Sequence, residues 1–245
     1  MKILIIGCTG TPGKDLVKYF INNTNYELSG TWSNESELDE LLKDTKIEAK
    51  IELYNYILDY NFNKIAYNDI LEENNYDYVI NCISYNQEED VIASIIYNSV
   101  FPNYLSQISE EFNYKLIHIT NNDVYLFRRS NSEYDDHNDI GLIGKTKSLG
   151  ELAECMTLRV SKFITDSEFK HDSWTGMTGK EFASVCHQII ENDLWKAEKY
   201  NIYSTTNDGN PDQSIWSTKD LQAKLKIKSI QKQLEELQKE KEDEF

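Results

Sequence analysis

The sequence predicts an α/β protein with a Rossmann-type, doubly wound parallel sheet and a reduced C-terminal substrate lobe. Short apolar runs alternate with amphipathic helical stretches, which is typical of βαβ units. Several of these runs are apolar on both faces, as parallel strands that helices cover on each side require. The first run leads through a glycine-rich turn, residues 7–13, directly into a helical pattern.

The predicted elements follow in chain order. Strands are predicted at Lys2–Ile6, Glu27–Thr31, Lys64–Tyr67, Tyr78–Ser84, Lys115–Thr120 and Met156–Val160. Helices are predicted at Lys14–Ile21, Glu88–Tyr97, Pro102–Phe112 and Gly144–Glu154. The polar, tyrosine-rich segment Asn34–Asn63 is expected to contribute one or two irregular helices, as a lid or as a spacer.

The pattern changes after about residue 165. A helix is predicted at Thr178–Glu191 with Thr178 as its N-cap, followed by a short strand at Asn201–Ser204. In Ser229–Glu244, lysine and glutamate alternate around one narrow apolar stripe, which favours a helix docked on the body over a coiled coil. We therefore predict a Rossmann domain at residues 1–161 and a small, mostly helical lobe at 162–245.

Composition restricts the partners and the compartment. The formal net charge of the 245 residues is −17, which argues against nucleic acid and anionic membranes as partners. The four cysteines lie far apart, which predicts reduced, buried thiols rather than a disulfide framework. No signal peptide is visible, so a cytoplasmic location is expected.

The glycine-rich turn has the spacing G-x-x-G-x-x-G between a strand and a helix. Gly7 permits the tight turn, Gly10 lets a pyrophosphate approach the backbone, and Gly13 lets the helix pack closely. Unpaired N–H groups at the helix N-terminus are suited to bind the phosphates. The residues expected to bind a nicotinamide dinucleotide here are Gly7, Thr9, Gly10, Thr11, Pro12 and Gly13.

The end of the second strand bears on the choice of cofactor. Many dinucleotide-binding folds place a carboxylate there to bind the adenosine ribose, but residues 29–33 contain none and Glu35 is the first. An uncharged strand end does not repel a 2′-phosphate, although no arginine attracts one. NADP and NAD both remain open as cofactors, with the balance slightly toward NADP, and Thr31 is expected to bind the cofactor.

A series of segments along the chain matches one family in order. With these segments the chain resembles the dTDP-4-dehydrorhamnose reductase-like branch of the extended short-chain dehydrogenases/reductases, which are sugar-nucleotide reductases. The resemblance covers residues 1–161 and resumes more weakly at 174–178 and 227–237. The matching segments are residues 6–13, 68–70, 76–83, 98–102, 115–120, 144–151 and 158–161.

The resemblance implies an NAD(P)-dependent reduction of a 4-keto-6-deoxyhexose nucleotide. Asp69 and Ile70 would lie beside the adenine, and Lys147 would hold the nicotinamide ribose and lower the pKa of a neighbouring tyrosine. The resemblance also allows a nucleotide sugar as substrate and a homodimer as assembly. The residues that would line the ribose and diphosphate path are Cys82, Ile83 and Ser84.

The sequence departs from the family at the catalytic positions. Ile143 stands where the family has its proton-donating tyrosine, four residues before Lys147, and isoleucine has no proton to transfer. Asn121 stands at the position of the catalytic threonine, which leaves Thr120 as the hydroxyl after the fifth strand. Two hypotheses follow: a reductase that relies on Lys147 and Thr120, or a catalytically inactive, cofactor-binding regulatory or scaffolding homologue.

Other polar residues near these motifs admit additional roles. Tyr125 and Tyr134 are alternative proton donors. His118 lies in an apolar strand and is predicted to be packed rather than to bind a ligand. His137 stands in a polar, acidic loop and is predicted to be solvated, and no metal site is predicted because no ligand spacing recurs.

Overall fold

The computed structural model describes residues 1–55, 64–125, 131–160, 163–164, 176–205, 217 and 219–243. Its centre is a parallel sheet of seven strands in the order β3-β2-β1-β4-β5-β6-β9. None of the helices in these ranges combines the length and apolar character needed to cross a membrane. The strands are β1 (Lys2–Ile6), β2 (Glu27–Trp32), β3 (Ile51–Asn55), β4 (Tyr78–Asn81), β5 (Lys115–Asn121), β6 (Met156–Val160), β7 (Phe163–Ile164), β8 (Met177–Thr178) and β9 (Lys199–Ile202).

Helices connect the strands and cover both faces of the sheet. A π-helical turn, Ile96–Val100, joins α5 to α6, and a 3₁₀ turn, Asn122–Val124, follows β5. The strands β7 and β8 pair with each other in a separate two-stranded sheet. The α-helices are α1 (Gly13–Asn23), α2 (Glu35–Leu42), α3 (Thr45–Glu48), α4 (Lys64–Asn74), α5 (Val91–Ile95), α6 (Phe101–Ile108), α7 (Leu142–Gly150), α8 (Gly179–Glu191), α9 (Asp220–Lys224) and α10 (Ile230–Asp243).

The strand order reverses beside β1. The chain runs outward from β1 through β2 to β3 and then returns to place β4 on the other side of β1. Within β1, Ile5 is in register with Gly30 of β2 and with Ile80 of β4. In open α/β sheets a crevice forms at the carboxyl ends of the strands where the order reverses. The fold therefore places its natural binding crevice between the ends of β1 and β4.

Each face of the sheet has its own apolar core. Because side chains alternate along a strand, Ile3 and Ile5 of β1 enter one core and Leu4 enters the other. The first core is completed by α1 and α8, and the second by α4 and α6. This two-sided burial explains the continuous apolar runs in the sequence and confirms the predicted doubly wound sheet.

The third strand was predicted in the wrong place. Lys64–Tyr67 is the first turn of α4, and the strand is Ile51–Asn55, inside the segment predicted to be helical. Tyr67, Ile70 and Leu71 are buried together, at the spacing of one helix face. The true strand lies at the sheet edge with one neighbour, so it is too polar to stand out as an apolar run.

The residues after 161 share a core with those before it. Strand β9 extends the main sheet by pairing in parallel with β6, and α8 packs against α1. Among the described residues, those after 161 therefore contribute to the same apolar core as those before it. Thr178 caps α8 by accepting a hydrogen bond from the N–H of Glu181 at 3.3 Å, which confirms the predicted cap.

The last helix, α10, is docked on the body, as the sequence favours. The side chain of Gln233 is buried, and its Oε1 accepts a hydrogen bond from the Thr178 N–H at 2.9 Å. Its Nε2 donates to the hydroxyl of Ser204 at 2.7 Å. The thiols of Cys8, Cys82, Cys155 and Cys186 are all free and buried, which confirms the prediction for the cysteines.

Candidate functional site

The glycine-rich turn begins where β1 ends, at the switch in strand order. Gly7 has a φ angle of +78°, in the region that favours glycine. Its N–H donates to the Thr31 hydroxyl at 3.1 Å, and the N–H of Cys8 donates to the Thr31 carbonyl at 2.9 Å. Thr31 at the end of β2 therefore holds the turn through both its side chain and its backbone.

Gly10 and Gly13 have different reasons to lack a side chain. A Cβ atom on Gly13 would lie 2.1 Å from the carbonyl oxygen of Gly7, so only glycine lets α1 begin this close to the turn. A Cβ on Gly10 would meet nothing closer than the same oxygen at 3.9 Å. The space beside Gly10 is open, as the approach of a ligand to the backbone requires.

The turn carries unpaired donors. Within the part of the chain that the structure describes, the backbone N–H groups of Thr9, Gly10, Thr11 and Gly13 donate to no acceptor. Pro12, which precedes the first residue of α1, has no N–H group to donate. Free N–H groups at the N-terminus of a helix bind anions, and the helix dipole adds to the attraction. The residues present therefore fit a dinucleotide diphosphate.

A carboxylate that the strand pattern did not reveal lies beside the turn. The Thr9 hydroxyl donates to Oε2 of Glu37 at 3.1 Å, although Glu37 is on α2 and not at the end of β2. Asn34 caps this helix by accepting from the N–H of Ser36 at 3.0 Å, which brings the first turn of α2 toward the glycine turn. A capping residue followed by two glutamates is the signal that could have suggested this arrangement.

The end of β4 is shaped by a buried amide and an imidazole. Asn81 accepts from the Ile83 N–H at 3.1 Å, and its Nδ2 lies 3.2 Å from Nδ1 of His118. Burial lowers the pKa of His118 to about 4, so the imidazole is neutral and accepts the hydrogen bond. His118 is thus a packed residue, as predicted. The side chain of Ile83 lies over Gly7, Cys82 is buried and Ser84 is exposed.

Asp69 and Ile70 do not follow a strand. Both lie on α4, where Ile70 enters the core beneath the sheet and Asp69 is exposed. The family resemblance placed them after a strand at Lys64–Tyr67, and the prediction of that strand is wrong. We therefore do not include these two residues in the binding site proposed below.

Lys147 lies at the carboxyl edge of β5, buried and surrounded by acceptors. Its side chain is 4% exposed, and Nζ donates to Oδ1 of Asn86 at 2.7 Å and to Oδ1 of Asn121 at 3.1 Å. It also forms an ion pair with Oδ2 of Asp123 at 2.7 Å. All three donors of the ammonium group are used. Sequence reasoning identified Lys147 and did not find Asn86 or Asp123.

The glycines on either side of Lys147 explain why α7 lies so close to this edge. A Cβ on Gly144 would lie 2.5 Å from the carbonyl oxygen of Asp123, and one on Gly150 would lie 1.9 Å from that of Asn98. Asn98, in the π-helical turn, also donates to the Thr146 hydroxyl at 3.2 Å. The glycines therefore fix α7 in two places and so fix the position of Lys147.

The two altered catalytic positions lie beside this lysine. Ile143 is one helical turn before Lys147 on α7, where it presents only an apolar side chain. Thr120 is buried, and its hydroxyl has no hydrogen-bond partner among the described residues. It is not among the groups that contact Lys147, whereas its neighbour Asn121 is.

A buried ionic network lies next to the site. Arg159 of β6 is fully buried, and its Nε donates to Oε1 of Glu151 at 3.2 Å. Burial by itself raises the pKa of Glu151, but its contacts with His137 and Arg159 outweigh this and lower the pKa to about 2. Arg159 also donates to the hydroxyl of Tyr125 at 2.7 Å and to Oδ1 of Asn201 at 2.9 Å.

The network changes the interpretation of three residues. Burial raises the pKa of Tyr125 to about 12, and its hydroxyl donates to the Ser132 carbonyl at 2.9 Å, so its proton is already used within the network. Tyr134 is exposed on the surface. The prediction that His137 is solvated is wrong, because its Nδ1 lies 2.6 Å from the Ser148 hydroxyl and its Nε2 contacts Glu151.

A glycine turn with free N–H groups, at the switch point of a doubly wound parallel sheet, defines a Rossmann-type dinucleotide-binding fold. No family model matches the sequence, nor does any curated protein. Comparison with solved structures shows that the chain shares its fold with several enzymes named for reactions of sugar nucleotides, in line with the sequence resemblance.

Three of these solved structures illustrate the likeness. A dTDP-4-dehydrorhamnose reductase from Clostridium acetobutylicum is 16% identical, with a TM-score of 0.65 over 98% of this chain and 99% of its own. A UDP-glucuronic acid 4-epimerase from Bacillus cereus, in complex with NAD, is 15% identical, with a TM-score of 0.72 over 96% and 94%. A dTDP-glucose 4,6-dehydratase from Bacillus anthracis, in complex with NAD, is 11% identical, with a TM-score of 0.71 over 100% and 97%.

Proposed function

We propose that this chain binds a nicotinamide dinucleotide and transfers hydride to or from the sugar of a sugar nucleotide. The observation that carries this proposal is the row of unpaired N–H groups beside Gly10, at the switch point of the sheet. The similar structures support it, since all three are named as enzymes of sugar nucleotides and two contain NAD. The conversion of a 4-keto-6-deoxyhexose nucleotide is the most specific form of the proposal.

Several groups at the carboxyl edge of the main sheet have roles in this function. The N-terminus of α1 binds the diphosphate, and Ile83 and Ser84 follow the cofactor along the end of β4. Lys147 lies where the nicotinamide ribose comes within reach of α7. The bound nicotinamide supplies the hydride acceptor or donor, and the protein positions the ring against the sugar. Thr120, with its unpaired hydroxyl, offers a hydrogen bond at the end of β5.

A second candidate function is cofactor binding without turnover, in a regulatory or scaffolding role. The observations that favour it are Ile143 at the tyrosine position and the three acceptors that occupy Lys147. One experiment separates the two candidates. NAD⁺, NADH, NADP⁺ and NADPH are titrated into the protein by calorimetry, and nicotinamide absorbance is then followed with UDP- and dTDP-hexoses and their 4-keto forms. Binding with turnover supports the first candidate, binding alone supports the second, and no binding refutes both.

Glu37 leads us to propose NAD rather than NADP, in place of the slight preference for NADP drawn from the sequence. Its carboxylate is hydrogen-bonded to Thr9 in the phosphate-binding turn, where it repels a 2′-phosphate and accepts a hydrogen bond from a ribose hydroxyl. A negative charge placed against the wrong ligand is a common source of specificity.

The variant Glu37→Gln tests this assignment. We expect its affinity for NADP to rise about tenfold relative to its affinity for NAD, because the repulsion of the 2′-phosphate is removed. Calorimetric titration of both cofactors measures the ratio. Asp39→Asn, an equal loss of charge on the same exposed helix, is the control and leaves the ratio unchanged. An equal ratio in wild type and Glu37→Gln would contradict the assignment.

We also propose that the chain forms a homodimer through α5, the π-helical turn and the end of α7. Residues 91–109 contain no charged residue, in a chain whose net charge is −17. Ile92 is 58% exposed, and other exposed apolar side chains of this face are Val91, Ile95, Val100, Leu149 and Leu152. Two copies that repel each other elsewhere meet most favourably on an uncharged, apolar face.

A single charge on this face is expected to separate the dimer. Ile92→Glu places a carboxylate in the contact and turns a dimer into a monomer at micromolar concentration, as measured by sedimentation equilibrium. Asn22→Glu adds the same charge at the exposed end of α1 and leaves the mass unchanged. A monomeric wild-type protein would refute the proposed assembly.

A further inference from the structure

Ile143 stands four residues before Lys147, where the resembled family has its tyrosine. Lys147 nevertheless has an ionisable partner, Asp123. We propose that Asp123 is the catalytic base of this site, accepting the proton of the substrate hydroxyl that is oxidised. This inference rests on the proposed function, because it requires a bound nicotinamide dinucleotide as the hydride acceptor. It assigns a catalytic role to a carboxylate beside the positions where the sequence indicates the loss of the tyrosine and threonine hydroxyls.

The carboxylate of Asp123 is held by one oxygen and free at the other. Oδ2 accepts from Lys147 Nζ at 2.7 Å and from Asn121 Nδ2 at 2.8 Å. Among the described residues, Oδ1 has no partner, and the side chain is 45% exposed. One oxygen is therefore held by two donors, while the other is left for a substrate hydroxyl.

The backbone around Asp123 is fixed as firmly as its side chain. Its N–H donates to Oδ1 of Asn121 at 3.2 Å, which makes a tight turn directly after β5. Its carbonyl lies against Gly144, where a Cβ atom would come within 2.5 Å. Asp123 and Lys147 are thus held together by the contact between this turn and α7. A movement of either element would separate Lys147 Nζ from Oδ2 of Asp123, and Gly144 from the Asp123 carbonyl.

The free oxygen of Asp123 determines where the proton goes. Oδ2 is held by two donors, so Oδ1 is the oxygen that accepts the proton of the substrate hydroxyl. In the balanced step, the hydroxyl O–H bond breaks and its proton goes to Oδ1 of Asp123. The carbon–hydrogen bond breaks, and its hydrogen leaves with the electron pair as hydride to NAD⁺. The alcohol becomes a ketone and NAD⁺ becomes NADH.

The activity test compares wild type, Asp123→Asn and Asp123→Glu. NADH formation is measured with UDP-glucose, UDP-glucuronic acid and dTDP-rhamnose as probes. Removal of a general base lowers kcat by about a hundredfold or more, and Asp123→Glu, which keeps the carboxylate, restores part of that loss. Asp136→Asn removes an exposed carboxylate from the loop before α7 and is the matched control, with unchanged kcat.

A binding test separates the failure of this inference from the failure of the proposed function. In the presence of NADH, Asp123→Asn is expected to weaken UDP-glucose binding about tenfold while the affinities for UDP and for NAD⁺ stay as in wild type. A wild-type protein that fails to bind NAD⁺ overturns the proposed function and this inference with it. A wild type that binds NAD⁺ but shows no hydride transfer with these probes overturns both the role of Asp123 and the hydride transfer on which it rests. An Asp123→Asn variant with wild-type kcat overturns only the role of Asp123.

Discussion

Glu151→Gln is expected to lower the free energy of unfolding by about 3–5 kcal/mol, the cost of leaving a buried charge without its partner. The guanidinium of Arg159 is fully buried, and glutamine supplies no charge to balance it. Urea denaturation at pH 7 measures the loss. Glu154→Gln, an exposed glutamate three residues further on, is the matched control and changes stability by less than about 0.5 kcal/mol.

The same pair makes stability depend on pH in a defined window. The pKa of Glu151 is about 2 in the folded protein and its ordinary value is 4.5, so the carboxylate stabilises the fold fully above pH 4.5. That stability, about 3 kcal/mol, is lost as the pH falls from 4.5 toward 2. Glu151→Gln should lack this part of the acid sensitivity. An identical pH dependence in wild type and variant would contradict the assignment of the shift to Glu151.

Removal of both charges together is expected to be less harmful than removal of one. In the double variant Glu151→Gln, Arg159→Met, no charge is left unpaired in the core, so its stability should exceed that of Glu151→Gln alone. Additive losses in the double-mutant cycle would show that the two side chains do not act as a pair. Through the contacts of Arg159 and Ser148 with His137, the network holds the end of β6 and the loop at residues 131–141 beside the candidate site.

Gly10→Glu is expected to abolish dinucleotide binding while leaving the fold intact. The space beside Gly10 is open, so the new side chain causes no clash within the protein. It fills the diphosphate site with a negative charge, and we expect affinity for NAD to fall by about a hundredfold or more, or ~3 kcal/mol. Calorimetric titration and the thermal midpoint are measured on the same preparation.

The neighbouring glycine supplies the contrast. Gly13→Ala places a methyl group 2.1 Å from the Gly7 carbonyl oxygen, so it should disturb the fold itself and lower the thermal midpoint. Asn22→Glu adds a negative charge at the other end of α1 and should change neither property. If Gly10→Glu bound NAD as wild type does, the turn would not be the phosphate site and the proposed function would fall.

Elements with strong local patterns were predictable from the sequence. Strands β1 and β6 have their predicted bounds, and α8 has its predicted cap, because burial on both faces or a clear helical period marks these segments. Strand β3 was missed because an edge strand needs little apolar character and its signal resembles that of a loop. Asp69 and Ile70 were expected to follow that strand, but they lie on α4.

By itself, the sequence determined the doubly wound sheet and the glycine turn, since the apolar runs and the glycine spacing are local patterns. The family resemblance singled out Lys147. Only the tertiary structure decided what surrounds them. Glu37 reaches Thr9 from another helix, and Asn86 and Asp123 reach Lys147 from the ends of two strands. The charged groups of the candidate site are thus paired with side chains distant in sequence. Only the packing of the fold brings these side chains within hydrogen-bond distance of each other.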